Sequence, residues 1–280
     1  TERDVAEVAR AMTGWTVVDG QFAFDAAGHD VGAKNVLGVV IPAGGGQADG
    51  ERVLDIVASH PSTARFICRK LVTYFVSDVP VDALVTSCAQ TFISQQNAPD
   101  QIRQVLMVIL SSSAFRGDSH VRAKLKTPLE FVLGSVRQLG GENVGDDIPI
   151  ELQRQGMPLF LNPVPTGYSD LGSAWLSSSM LHSRARFADR LLAYAPAGAQ
   201  VQFNLSGLMN DEGFDTAEGV CGRLLERLLG PTFVKRHMDV AMNILTEGGL
   251  YPWLPSAPDR EVRLRRLAKA LLLLPDYQYQ

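Results

Sequence analysis

Residues 15–41 read WTVVDGQFAFDAAGHDVGAKNVLGVVI, and this stretch decides the fold because it is the one region with convincing β character. Trp15–Val18 is β-branched and aromatic, Asp19-Gly20 is a two-residue hairpin turn, and Gln21–Asp25 alternates apolar with polar. After a loop at Ala26–Ala33, Val36–Ile41 reads as a further strand. The expectation is one small antiparallel β-hairpin or sheet of two or three strands.

Outward from this region the pattern turns helical. Before it, Thr1 can cap a helix over residues 1–13 whose apolar face is Val5, Val8, Ala9 and Met12. After the Gly44-Gly45-Gly46 loop, Asp49 can cap a helix to about Ser59, and His60-Pro61 breaks it and opens the next. That helix places Ala64, Ile67, Cys68, Leu71, Val72 and Phe75 inside, with Arg65, Arg69 and Thr73 outside. Further helices are expected near 80–94, 99–112, 179–194, 216–229, 231–246 and 258–274. Thr127-Pro128-Leu129-Glu130 combines a capping box with a first-turn proline, so another helix starts there and stops at Gly140-Gly141. In the last helix Leu264, Leu267, Ala268 and Leu271 face in while Arg263, Arg266 and Lys269 face out. The stretch 156–176, rich in Gly, Pro, Ser and Asn, reads as a long ordered loop. The fold class that results is mainly α: a multi-helix orthogonal bundle with a β insertion at 15–41, in a single domain over residues 1–280.

Composition narrows the function. The 280 residues carry 26 Lys+Arg against 30 Asp+Glu, a net charge of −4, and neither half is basic. No overall field attracts nucleic acid, so no nucleic-acid partner is expected. No run reaches the ~18 apolar residues of a membrane span. Cys68, Cys88 and Cys221 match no C-x-x-C or zinc spacing. Buried thiols are the simplest reading, and a Cys68–Cys88 disulfide stays open.

The candidate sites are few. His29-Asp30, with Lys34 following, is the densest polar cluster of the β region; imidazole beside carboxylate suits a base and its orienting partner. No metal motif is present and no cofactor is expected. Gly45-Gly46 and the residues after it have phosphate-loop spacing, but Glu51 and Arg52 stand where Lys and Ser/Thr belong. Backbone N–H groups there remain an anion-binding candidate. Arg65 with Arg69 on one helix face, and Lys124 with Lys126 in the basic stretch Arg116–Lys126, are the other anion-binding candidates. Ser119-His120 implies no triad, and Asp211, Glu212, Asp215 and Glu218 lack calcium-loop spacing. Trp15, Trp175 and Trp253 read as packing anchors.

Several blocks together resemble one family. They are DVAEVARAMTGW at 4–15, His29-Asp30 with Lys34 and Leu37-Gly38, IPAGGG at 41–46, HPSTARFICRKL at 60–71, KLKTPLEFV at 124–132 and LLPDYQ at 273–278. In these the chain is similar to the bacterial domain-of-unknown-function-1800 family. The resemblance implies a predominantly helical protein without an established activity, and no catalytic residue to carry over. Because family members are usually longer, it also implies that this chain is the C-terminal part of such a protein. It further implies export or a periplasmic location and a sulfatase-like partner, since members are commonly encoded beside such proteins. Two functions are therefore expected in competition. The first is a non-catalytic interaction or scaffold protein of the bacterial envelope. The second is a hydrolase or anion-binding enzyme centred on His29/Asp30 and the Gly44–Gly46 loop.

Overall fold

The computed structural model describes residues 1–117, 121–141, 147–193, 204–210 and 215–280. Ser119-His120 and the acids Asp211 and Glu212 lie outside the described residues. The chain divides into two compact units, Thr1–Gly117 and Asp118–Gln280.

In the first unit α1 (Glu2–Ala11) leads to two hairpins, β1–β2 (Trp15–Val18, Gln21–Phe24) and β3–β4 (Lys34–Val36, Val39–Ile41). Helices α2 (Gln47–Ser59), α3 (Pro61–Phe75), α4 (Asp82–Ser94), α5 (Gln101–Ser111) and α6 (Ser113–Arg116) follow. The local chemistry accounts for the starts. Thr1 and Asp4 form a capping box on α1. His60 ends α2 and caps α3 by accepting the Ser62 N–H at Nδ1 (3.1 Å), with Pro61 in the first turn.

The β region corrects the expectation of one sheet. It forms two separate two-stranded sheets, and what read as a single strand at 36–41 folds back on itself at Leu37-Gly38. Both residues of that turn have positive φ (51° and 83°), as do Asp19 and Gly20 (50° and 76°), the geometry that suits the twist of a two-residue hairpin. In β3–β4 the pair Asn35–Val40 lies between the hydrogen-bonded pairs, so both residues turn their backbone groups outward. On the β3 side α1 meets this edge: Glu7 Oε2 accepts the Asn35 N–H (2.9 Å) and Asp4 Oδ1 accepts the Leu37 N–H (2.9 Å).

Two small cores hold the unit. Ala11, Val36, Ile41, Val53 and Ile56 pack where α1, the second hairpin and α2 meet. Ala64, Val72, Val85, Phe92, Val105 and Ile109 pack among α3, α4 and α5. There Cys68 and Cys88 form a disulfide with a Cα–Cα separation of 5.7 Å. Thr73, expected outside, is buried.

The second unit is built from α7 (Pro128–Gln138), α8 (Asp147–Arg154), α9 (Ser178–Leu192), α10 (Leu205–Asn210), α11 (Ala217–Leu229), α12 (Pro231–Thr246) and α13 (Arg260–Leu272). Short 3-10 turns lie at Gly172–Trp175 and Pro275–Gln278. Thr127 and Glu130 form the expected capping box on α7. Leu224, Leu225 and Leu228 of α11 share one core with Leu264, Leu267 and Leu271 of α13 and Phe131 of α7. Cys221 is buried there as a free thiol, and burial pushes its pKa up to about 12. The last residues pair back onto residues 124–126: Lys126 N–H donates to Gln278 O (2.8 Å) and Gln280 N–H to Lys124 O (2.8 Å). Arg263 corrects another expectation. It is buried, donating to the carbonyls of Leu245 (2.9 and 2.6 Å), Tyr251 (2.8 Å) and Pro252 (3.1 Å), and so caps the end of α12.

Candidate functional site

The first unit brings two of the sequence candidates, His29 and Lys34, together on Asp49, a residue that the sequence marks only as a helix cap. Asp49 stands in the first turn of α2, where the helix N-terminus favours a carboxylate. Its Oδ2 receives Lys34 Nζ (2.5 Å), from the first residue of β3, and lies 3.2 Å from His29 Nε2, from the loop after β2. The three side chains are 2%, 0% and 1% exposed for Asp49, Lys34 and His29.

A second layer finishes the network. His29 Nδ1 donates to Thr13 O (2.8 Å), so both ring nitrogens meet protein atoms. Lys34 Nζ also donates to the Asp30 carbonyl. Thr13 Oγ1 donates to Arg10 O (2.6 Å) and accepts the Asp30 N–H (2.8 Å). The Asp30 carboxylate faces away from His29. It takes a two-armed contact from Arg10 (Nε 2.8 Å, Nη2 3.1 Å) and the Gly32 N–H (2.8 Å). These contacts, Arg10 first, hold the Asp30 carboxyl well below the usual carboxylate range. Arg10 spends its remaining arm on Glu7 (2.9 and 3.0 Å). Asp30 therefore orients Arg10 and the loop, not the imidazole.

Glycines keep this network tight. A side chain at Gly45 would put its Cβ 2.0 Å from Asp49 Oδ1, and one at Gly50 would sit 2.6 Å from the Trp15 ring. Gly45 thus serves close approach to Asp49. The hollow beside it, about 470 Å³, is lined by Gly44, Gly45, Asp49, Glu51, Arg52 and Asp55 among others. Its charged lining is three carboxylates against one guanidinium, an environment that repels small anions.

The remaining candidates lie elsewhere. Arg65 and Arg69 of α3 both engage Asp82 of α4 (2.5 and 3.4 Å). Lys124 and Lys126 belong to the second unit, Lys126 buried and Lys124 pairing through its backbone with Gln280. Among the described residues no group of His, Cys, Asp and Glu is arranged to hold a metal ion. No described helix is long and apolar enough to cross a membrane.

Apolar side chains stand open in both units. In the first, the β1–β2 hairpin exposes Val17, Val18 and Phe22. In the second, Phe160 is 99% exposed at a positive φ of 61°, followed by exposed Leu161. Their loop is ordered from within: Tyr168 Oη donates to Pro158 O (2.6 Å) and Trp175 Nε1 to Ser169 O (3.0 Å).

No curated protein and no solved structure matches this chain. A family model described as "Protein of unknown function (DUF1800)" matches residues 1–279, the whole chain but its last residue, and the chain therefore belongs to that family.

Proposed function

We propose that this chain is a non-catalytic interaction or scaffold protein of the bacterial envelope, working with a sulfatase-like partner. One observation carries the reading: the polar cluster of the β region is closed on itself. His29 has both ring nitrogens occupied and its side chain sealed from solvent, so no reacting atom can be placed against it without unpacking the loop. The enzyme alternative needs those same atoms free, together with an anion beside Gly45, where carboxylates dominate.

The open side chains supply contact surface of the kind interfaces use, aromatic and aliphatic groups presented by ordered backbone. The Cys68–Cys88 disulfide suits an oxidising compartment. The sulfatase-like protein and the N-terminal part carried by longer family members are the partners that membership of the family suggests.

The test is co-purification of the chain with a sulfatase-like protein of the kind that family members are commonly encoded beside. Capture is expected, and it should weaken in Phe160→Ser and Phe22→Ser variants that melt as the wild type does. Absence of a complex well above micromolar concentration would remove the proposal.

A further inference from the structure

Lys126 of the second unit is a buried amine that makes no ion pair among the described residues. It is 7% exposed, and its ammonium group lies 3.4 Å from the centroid of the Tyr277 ring. Among the described residues no hydrogen-bond acceptor meets Nζ. The charges that act on it are two guanidinium groups, Arg122 and Arg184, against one acid, Glu130. That acid is already engaged: Oε2 takes the Thr127 N–H (2.7 Å) and hydroxyl (2.8 Å), and Oε1 takes the Gln280 side-chain amide (2.7 Å).

Among the described residues neither arginine makes an ion pair, although the charge of Asp276 acts on Arg122 and that of Glu130 on Arg184. Arg122 donates to the carbonyls of Asp276 (3.0 Å), Tyr279 (3.4 Å) and Leu228 (3.3 Å). Arg184 donates to the Gln278 side-chain oxygen (2.8 Å) and the Lys126 carbonyl, and its buried Nε–H has no partner among the described residues. Three cations thus act on one another, and among the described residues no carboxylate makes an ion pair with any of them. A buried charge cluster of one sign is costly, and a planar anion accepting from guanidinium donors would relieve it.

We propose that Lys126 reacts with dissolved carbon dioxide to form a carbamate held by Arg122 and Arg184. The neutral amine's lone pair attacks the carbon of CO2. The C–N bond forms as one C–O π pair moves onto oxygen, and the nitrogen loses a proton to solvent: Lys–NH2 + CO2 gives Lys–NH–COO⁻ + H⁺. A cation is thereby replaced by an anion that both guanidinium charges favour, and the unpartnered Arg184 Nε–H is the donor it would take. Burial selects the reagent, because CO2 is small and uncharged while larger or charged electrophiles are excluded. The amine is suited to the attack. Burial first, then Arg122 and Arg184, lower its pKa from the ordinary lysine value to about 7, opposed only by Glu130, so much of it is neutral near pH 7.

The experiment is carbon NMR of the whole chain in ¹³C-labelled bicarbonate at pH 7 to 8.5. A carbamate resonance separate from bicarbonate and CO2 is expected, absent in Lys126→Met and reduced severalfold in Arg122→Gln. Should Lys126→Met fail to fold, the wild type is alkylated with triethyloxonium ion to trap the carbamate, and mass mapping of its peptides must place the adduct on Lys126. No resonance, a resonance that survives in folded Lys126→Met, or trapping only at other amines overturns the proposal.

Discussion

Lys34 Nζ lies 2.5 Å from Asp49 Oδ2, with both side chains closed to solvent and His29 on the same carboxylate oxygen. A pair of this kind is strong evidence of dependence and weak evidence of net stabilisation. Removing one partner strands a buried charge, which typically costs about 3–5 kcal/mol. Asp49→Ala should therefore lose that much in urea unfolding. The double variant Lys34→Met, Asp49→Leu should lose clearly less than the sum of its single changes. Additive losses would mean that the pair is not the unit.

The disulfide should be worth more than its position between adjacent helices suggests. Cys68 and Cys88 are 20 residues apart, and closing a loop of that size in the unfolded chain stabilises by about 3 kcal/mol. Cys68→Ala with Cys88→Ala should lower the urea midpoint accordingly, and reductant should do the same to the wild type. A reductant-insensitive midpoint would show that the bond does not contribute.

Lys126 fixes the sign of a pH effect. Its pKa is lowered from 10.5 to about 7 on folding, so the unfolded chain binds more protons between those values. Stability from this group therefore rises with pH across that window and is lowest, and constant, below it. In CO2-free buffer, Lys126→Met should be more stable than wild type at pH 7, by up to about 5 kcal/mol, with the gap closing towards pH 10. A gap independent of pH would mean that packing, not charge, sets it.

Gly50→Ala tests the seat of the first hairpin. Alanine gains about 1 kcal/mol over glycine inside a helix on propensity alone. Here the new methyl would sit 2.6 Å from the Trp15 indole, so the expected sign reverses: the variant should be less stable, with a changed Trp15 emission. A stabilised variant would show that the indole moves aside freely.

How much could be read beforehand follows from the range of the forces involved. The helix cap at Thr1, the capping box at Thr127 and the Asp19-Gly20 turn are local chemistry, and they were legible. The turn at Leu37-Gly38 was not, because leucine is a poor turn residue. Its backbone there is held from 33 residues away, where Asp4 accepts the Leu37 N–H. Arg263 followed the helix period outward, yet the exposed carbonyls at the end of α12 draw it in. At the site, His29, Asp30 and Lys34 stood out by density alone. Asp49 carried no such signal, since an acid in a first helical turn is ordinary. Only the folded chain shows that it neutralises a lysine and meets a histidine 15 and 20 residues earlier.

The carboxylates that α1 lays along β3 have one further consequence. Glu7 and Asp4 occupy the outward N–H groups of Asn35 and Leu37, while on β4 Val40 turns its own outward. This hairpin is thus blunted on one flank and open on the other. If two molecules meet through it in concentrated solution, strand joins strand once and both open flanks are consumed. Association by that route ends at a pair and cannot propagate into a fibril.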